Sequence, residues 1–368
     1  MRASQASVEV GYEPTVFAVY ETGLLETEKN QQVNVRRFRL HTRYWPKIRI
    51  IQLIKYLEAA IRMIKAGWDL HPDLIHANDI MGLPIGYVIA LTTKARLVYD
   101  SHELWSDASM NQLLPNWILN ISLMAERILA QKADAVIAVS DGIADEMKKN
   151  LKIERPLVVR NIPNAKVLND NKITETPLRR ALGISAEIPI ILYQGALLPG
   201  RGLLTLIEAM AQVSHPSALL VMLGDGPLLI NLHDQAESLG IKDKVYFHPA
   251  VPQTYLYQWT QDATLGVSPI ESLCLSYNLC LPNKLFEYIQ AELPVLVTDL
   301  PEMKRLVNHY GLGEVFPDGD ASTLAKKIDL MLMDASLIDR YRNAAKNAAR
   351  ELNWDIEKKQ LFMAYDRG

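Results

Sequence analysis

The chain has 368 residues, is 49% hydrophobic and 22% charged, and carries a net charge of −3. That length predicts two domains of about 100–200 residues each, and the slightly negative balance argues against a nucleic acid held by broad electrostatics. Two cysteines, Cys274 and Cys280, exclude a disulfide framework and fit a reducing compartment. With no zinc-like Cys/His spacing, no run of about 18 apolar residues and no signal-peptide pattern, a cytoplasmic location is expected.

In chain order, strands are predicted over 15–20, 33–40, 74–77, 96–99, 135–139 and 157–159. Helices are predicted over 48–66, 83–91, 117–132 and 142–150, with Ser140 as the N-cap of the last. The stretch 44–68 is amphipathic and basic, with Lys47, Arg49, Lys55, Arg62 and Lys65. It reads either as a helix packed on a sheet or as one in peripheral contact with an anionic membrane.

The strand at 96–99 runs into Asp100-Ser101-His102-Glu103. A histidine beside carboxylates at a strand's carboxyl end can position a hydroxyl or shuttle a proton, or it can be bonded for structure alone. His76 and Asp79, after the strand at 74–77, form a weaker set of the same kind. The polar, proline-bearing segment 161–177 reads as a linker.

Beyond the linker, strands are predicted over 188–194, 218–223, 245–247, 263–267 and 294–297. Helices are predicted over 203–213, 227–239, 283–291, 303–308, 321–333 and 336–351. Strands alternating with helices give an α/β architecture with parallel sheets, whose ligands sit outside the carboxyl ends of the strands. Gly195 through Gly202 follow the first of these strands, with Arg201 at the entrance of a helix where a guanidinium can meet phosphate, or they form no more than a tight turn. Gly224-Asp225-Gly226-Pro227 follow the next, with Pro227 read as the first helical residue. Asp318 and Asp320 have the spacing of a metal-holding Asp-x-Asp, but Asp320 reads more simply as a helix N-cap.

The most informative stretch runs from Leu281 to Asp299. It predicts a helix from Asn283 that stops before Pro294, then a strand over 295–297 covered on both faces. Lys284 and Glu287 lie on one face of that helix. The helix start and Lys284 suit a diphosphate, and Glu287 can accept hydrogen bonds from ribose hydroxyls. The alternative is a surface Lys–Glu pair of little consequence.

Taken in order, the phrases YDSHEL at 99–104, ADAVIAVS at 133–140, YQGALLPGRGLLTLIE at 193–208, Gly224–Pro227, VYFHPAVP at 245–252 and PNKLFEY at 282–288 resemble the GT-B retaining glycosyltransferases of family 4, group 1. The resemblance implies two Rossmann-like domains facing across a cleft. We place them at 1–163 for the acceptor and 178–350 for the donor, with a helix at 351–368 packing back toward the first. It implies a metal-independent transfer, with retention, from a nucleotide-sugar donor to a carbohydrate or lipid-linked acceptor, in cell-envelope or extracellular polysaccharide or glycolipid synthesis, with no cofactor. Residue by residue, it implies that Arg201 binds the donor phosphates and Gly195 lets backbone approach them, that Gly224 belongs to the donor site, and that Asn283, Lys284 and Leu285 line the pyrophosphate. Glu287 would hold the ribose and His102 the sugar, with His102, Arg201 and Lys284 as the catalytic set.

Three departures stand out. Leu279 occupies the place of the family's first glutamate, with Glu271 as a candidate replacement; Ala196 follows Gly195 where arginine is common; and the family's opening strand and glycine loop are not found before residue 10. Two rival readings remain at this level: a GT-B nucleotide-sugar epimerase, and a non-catalytic nucleotide-sugar-binding partner.

Overall fold

The computed structural model describes residues 2–105, 116–163 and 177–366. Most of the expected linker therefore lies outside the described residues. The described residues divide into two units, the first holding those up to Val159 together with those from Lys358 onward, the second holding those from Arg160 to Glu357.

The first unit opens with helix α1 (Arg2–Glu9), followed by β1 (Thr15–Val19), β2 (Thr27–Asn30) and β3 (Val33–Phe38). These strands form a sheet of order β1-β3-β2, in which β1 runs parallel and β2 antiparallel to β3. The polar strand Thr27–Asn30 has no apolar alternation to announce it. It pairs because Gln31 and Gln32 both adopt positive φ, 46° and 71°, the backbone that a two-residue hairpin requires. The unit continues through α2 (Arg49–Leu70), β4 (Leu74–Asn78), α3 (Asp79–Thr93), β5 (Arg96–Ser101), α4 (Asn116–Ala130), β6 (Ala135–Ala138), α5 (Asp141–Leu151) and β7 (Leu157–Val158). Strands β4 to β7 form a second, wholly parallel sheet in sequence order. Ser140 caps α5, its Oγ accepting the N–H of Ile143 at 3.2 Å.

The second unit comprises α6 (Pro177–Leu182), β8 (Ile190–Gln194), α7 (Leu203–Gln212), β9 (Leu219–Leu223), α8 (Leu229–Ser238), β10 (Val245–His248), α9 (Gln253–Gln261) and β11 (Leu265–Ser268). It goes on with α10 (Leu275–Asn278), α11 (Asn283–Gln290), β12 (Val295–Thr298), α12 (Pro301–Tyr310), β13 (Gly313–Phe316), α13 (Ala321–Met333) and α14 (Ala335–Glu351). Helix α15 (Trp354–Asp366) closes the chain. All strands of this unit are parallel, in the order β10-β9-β8-β11-β12-β13. Strand residues alternate between two cores: Ile190, Leu192 and Val297 face one layer of helices, Ile191, Tyr193 and Leu296 the other. The order reverses between β8 and β11, so the carboxyl ends of these strands form a topological switch point.

One sequence assignment fails here. Pro227 is not the first residue of a helix, because α8 begins at Leu229. Leu228 N–H is drawn back to Leu197 O at 3.1 Å and Leu229 N–H to Gly226 O at 3.2 Å. The turn is thus used to hold the loop after β8. Strand β13 and helices α6, α9 and α10 have no counterpart in the sequence reading. Each is short, and α9 (QTYLYQWTQ) mixes aromatic and polar residues without a clean apolar stripe.

Candidate functional site

At the switch point the chain leaves β8 through Gly195, φ +126°, and leaves β9 through Gly224, φ +154°. A Cβ on Gly224 would collide with the Gly195 carbonyl, so the two strand ends approach as closely as backbone allows. Gly202, in left-handed backbone at φ +64°, caps α7 and lies against the Pro269 carbonyl. The loop after β8 is thereby seated on the loop after β11.

Into this corner points α11. Its N-cap, Pro282, offers no side-chain acceptor to the leading N–H groups. Lys284 is not part of a surface ion pair: it is only 9% exposed, and its Nζ has no hydrogen-bond partner among the described residues. Nζ instead lies 3.7 Å from the centroid of the Tyr193 ring, a cation–π geometry. Burial pushes its ammonium well below the usual lysine range, and the Arg201 charge pushes it further, against a smaller opposing pull from Glu287. The Arg201 guanidinium sits 5.1 Å from the centroid of Tyr277. A buried amine without an acceptor is costly to fold, and groups perturbed in this way concentrate where a ligand completes them.

Glu287, one turn along α11, receives a 2.6 Å hydrogen bond from Gln194 Nε2. Leu285 has its side chain wholly in the core, so only its backbone can face a ligand, while Asn283 is exposed. Leu279 follows α10 and offers no carboxylate. Burial raises the Glu271 carboxyl, Asp318 adding to the effect, and its backbone N–H donates to Gly200 O at 3.1 Å. Both aspartates of the Asp-x-Asp have structural bonds: Asp318 accepts from Ser272 N–H at 2.8 Å and Asp320 from Thr323 N–H at 2.9 Å, as the cap of α13.

A second cluster belongs to the first unit alone. His102 Nδ1 lies 3.2 Å from Asp79 Oδ2 and its Nε2 3.6 Å from Asp100 Oδ2, while its backbone N–H donates to Asp79 Oδ1 at 3.0 Å. The hydrogen bond to Asp79, against burial, and the charge of Asp100 raise the imidazole to about 9, so it is a cation at neutral pH. Asp79 adopts φ +54° to make these bonds, a strained backbone for a non-glycine residue. Asp100 also meets His76 Nε2 at 2.9 Å, and His76 Nδ1 meets the Tyr365 hydroxyl at 3.1 Å. Burial works to raise the Asp100 carboxyl, but the bond from His76 and the two histidine charges hold it low. His76 and Asp79, weak candidates in the sequence, are thus partners of the strong one. Asp100 and Tyr365 join them through the β4–β5 pairing and the return of the last helix, which no local pattern encodes. Gln194, Tyr193 and Thr260 were missed in the same way.

The family model described as "Glycosyl transferases group 1" matches residues 174–351, and the model "Glycosyltransferase Family 4" matches residues 2–165. Among curated relatives, the D-inositol 3-phosphate glycosyltransferase of Jonesia denitrificans is 23% identical over 337 residues, covering 86% of this chain and 76% of that protein. Among solved structures, the sucrose-phosphate synthase of Thermosynechococcus elongatus superposes with a TM-score of 0.82 at 20% identity, covering 99% of this chain and 91% of that one. Anabaena HepE in complex with UDP gives a TM-score of 0.72 at 19% identity, over 91% of this chain and 86% of that one. The fold is therefore the GT-B fold.

Proposed function

The chain belongs to the glycosyltransferases of group 1 and family 4, whose models describe it half by half, and from that premise we propose how it works. It moves a sugar from a nucleoside diphosphate sugar to an acceptor hydroxyl, with retention at the anomeric carbon and without a metal, in cell-envelope or extracellular polysaccharide or glycolipid synthesis. The observation that carries the donor assignment is Lys284: a buried amine over Tyr193, with no hydrogen-bond acceptor among the described residues, at the first turn of a helix on the switch point. A diphosphate supplies the missing acceptor. The α11 N-terminus and Arg201 add positive potential where charge grows on the leaving group, and Glu287 accepts from the ribose. The contact of His102 with the transferred sugar is carried from the family resemblance. As an imidazolium it donates a hydrogen bond and does not take up a proton.

Calorimetry with UDP, ADP and GDP tests the donor site. Glu287→Ala and Arg201→Ala should each weaken the best of these by about tenfold, and unchanged affinity in both variants rejects the assignment. Nucleoside diphosphate released only when acceptor is present excludes the epimerase reading. Release that never occurs, with binding intact, favours the non-catalytic partner.

Peripheral membrane contact through residues 44–68 is part of the proposal. Along α2, Ile50, Leu53, Leu57 and Ile61 are all exposed, with Tyr44 and Trp45 beside them. An apolar stripe of this size is rarely left to water. Lys55 Nζ donates to Arg43 O at 3.2 Å and Trp45 O at 2.7 Å, tying the aromatic turn to the helix. Among the described residues no helix is long and apolar enough to cross a membrane. Vesicles with anionic lipid should sediment the protein, and Leu53→Ser with Leu57→Ser should release it; equal sedimentation rejects the contact.

A further inference from the structure

We infer that Gln194 is a positioning residue for Glu287 and that it gives the site its preference for an intact ribose, an inference that rests on Glu287 meeting the ribose hydroxyls. Gln194 is the last residue of β8, a strand otherwise made of Ile190, Ile191, Leu192 and Tyr193, and is only 2% exposed. A polar side chain in that position must be satisfied from within the protein.

Its partners come from two helices. Gln194 Nε2 donates to Glu287 Oε2 of α11 at 2.6 Å, and Oε1 lies 2.8 Å from the hydroxyl of Thr260 on α9. An ionised carboxylate can only accept, so the amide nitrogen must face Glu287 and the amide oxygen must face Thr260. The Thr260 hydroxyl also lies 2.7 Å from Leu256 O and shares its one proton between the two acceptors. Turning the amide over would set oxygen against carboxylate, so the orientation is fixed by the network.

The helix that carries Glu287 is anchored separately. The Tyr288 hydroxyl accepts the backbone N–H of Gln194 at 3.1 Å and lies 3.2 Å from Leu192 O. Its ring covers Gly266 of β11, where any Cβ would strike it. Tyr288 therefore fixes the rotation of α11 on the sheet, and Gln194 fixes the side chain of the neighbouring residue. A glutamate on a helix surface ordinarily samples many rotamers; this one is held in one direction before a ligand arrives. A purely structural glutamine could have been satisfied by backbone, whereas this one spends its donor on a half-buried carboxylate at the site.

The test titrates UDP, ADP and GDP alongside their 2′-deoxy and 3′-deoxy forms and follows the series that binds best. The wild-type protein should prefer the ribose form by about tenfold. In Gln194→Leu the ribose form should weaken by about tenfold while the deoxy forms barely change, so that the preference approaches one. Thr260→Val, which keeps the shape and removes the hydroxyl, should reduce the preference by about threefold. Ribose and deoxy forms weakened equally, or an unchanged preference in Gln194→Leu, overturns the positioning role. Should that variant fail to fold, a wild-type preference in Thr260→Val overturns it instead. Glu287→Ala separates the two layers. A preference that survives there rejects the ribose reading itself, whereas one lost there but kept in Gln194→Leu rejects only the role of Gln194.

Discussion

Each unit holds a basic side chain near its strand ends, half-exposed His102 in the first and buried Lys284 in the second, and the two are treated in opposite ways. In the first, His102 is flanked by Asp79 and Asp100, its charge answered inside the protein. In the second, Lys284 has an aromatic face beneath it and no acceptor for its protons among the described residues. A basic group already paired inside the protein is held in one geometry, while one left without an acceptor creates a demand for an anion. The first unit thus holds a basic group with its partners already in place, and the second holds one whose partner is missing among the described residues.

The sharpest way to break this contrast is Lys284→Met. Nucleoside diphosphate affinity should fall by about 100-fold, the scale of a charge-assisted contact in a buried site. Thermal stability should rise by about 1 kcal/mol, because an apolar side chain removes the cost of burying the amine. Calorimetry and a melting curve report both, and a variant that loses stability along with affinity contradicts the picture of a buried amine without an acceptor.

The opposite experiment relaxes the compensated side. Asp79→Asn keeps a residue that tolerates left-handed backbone but removes the charge that holds the His102 proton. The imidazole should then titrate lower by about one unit or more, which NMR of the ring protons measures. The sign for stability follows from the raised value. The contribution of His102 is fully present below its ordinary 6.5 and lost as pH climbs through about 9. Asp79→Asn should flatten that decline, and an unchanged slope of stability against pH between these values argues against the charge pairing.

A smaller effect sharpens the lysine side. Because burial disfavours the Lys284 ammonium and a bound diphosphate favours it, binding should draw a proton from solvent over the pH range in which the free amine titrates, and weaken as pH rises through that range. Heats of binding compared in buffers of different ionisation enthalpy detect the uptake. Identical heats would place the lysine in the charged state before the ligand arrives.

These contrasts were only half legible in the sequence. Lys284 and Glu287 could be read because three residues along a helix fix a shared face, and Gly195 to Gly202 because glycines between a strand and a helix mark close backbone approach. What the stretch could not reveal was whether Lys284 reached solvent or an aromatic ring, since Tyr193 is 91 positions away and meets it only through the β8–β11 pairing. The same holds for Gln194 with Thr260 and for His76 with Tyr365, pairs joined by sheet order and by the last helix. Strand β2 stayed hidden because its hairpin relies on positive φ at two glutamines, where glycine or asparagine is the usual signal.

The Lys284 amine has one more consequence. Surface lysines are ammonium ions near neutral pH and react sluggishly with electrophiles, whereas a desolvated amine keeps its lone pair and is nucleophilic. Where a small acylating reagent reaches the donor site, the Lys284 nitrogen should react faster than solvent-exposed lysines, and a bound diphosphate should slow it by favouring the ammonium form and covering it. The resting site thus carries its own chemical reporter of occupancy.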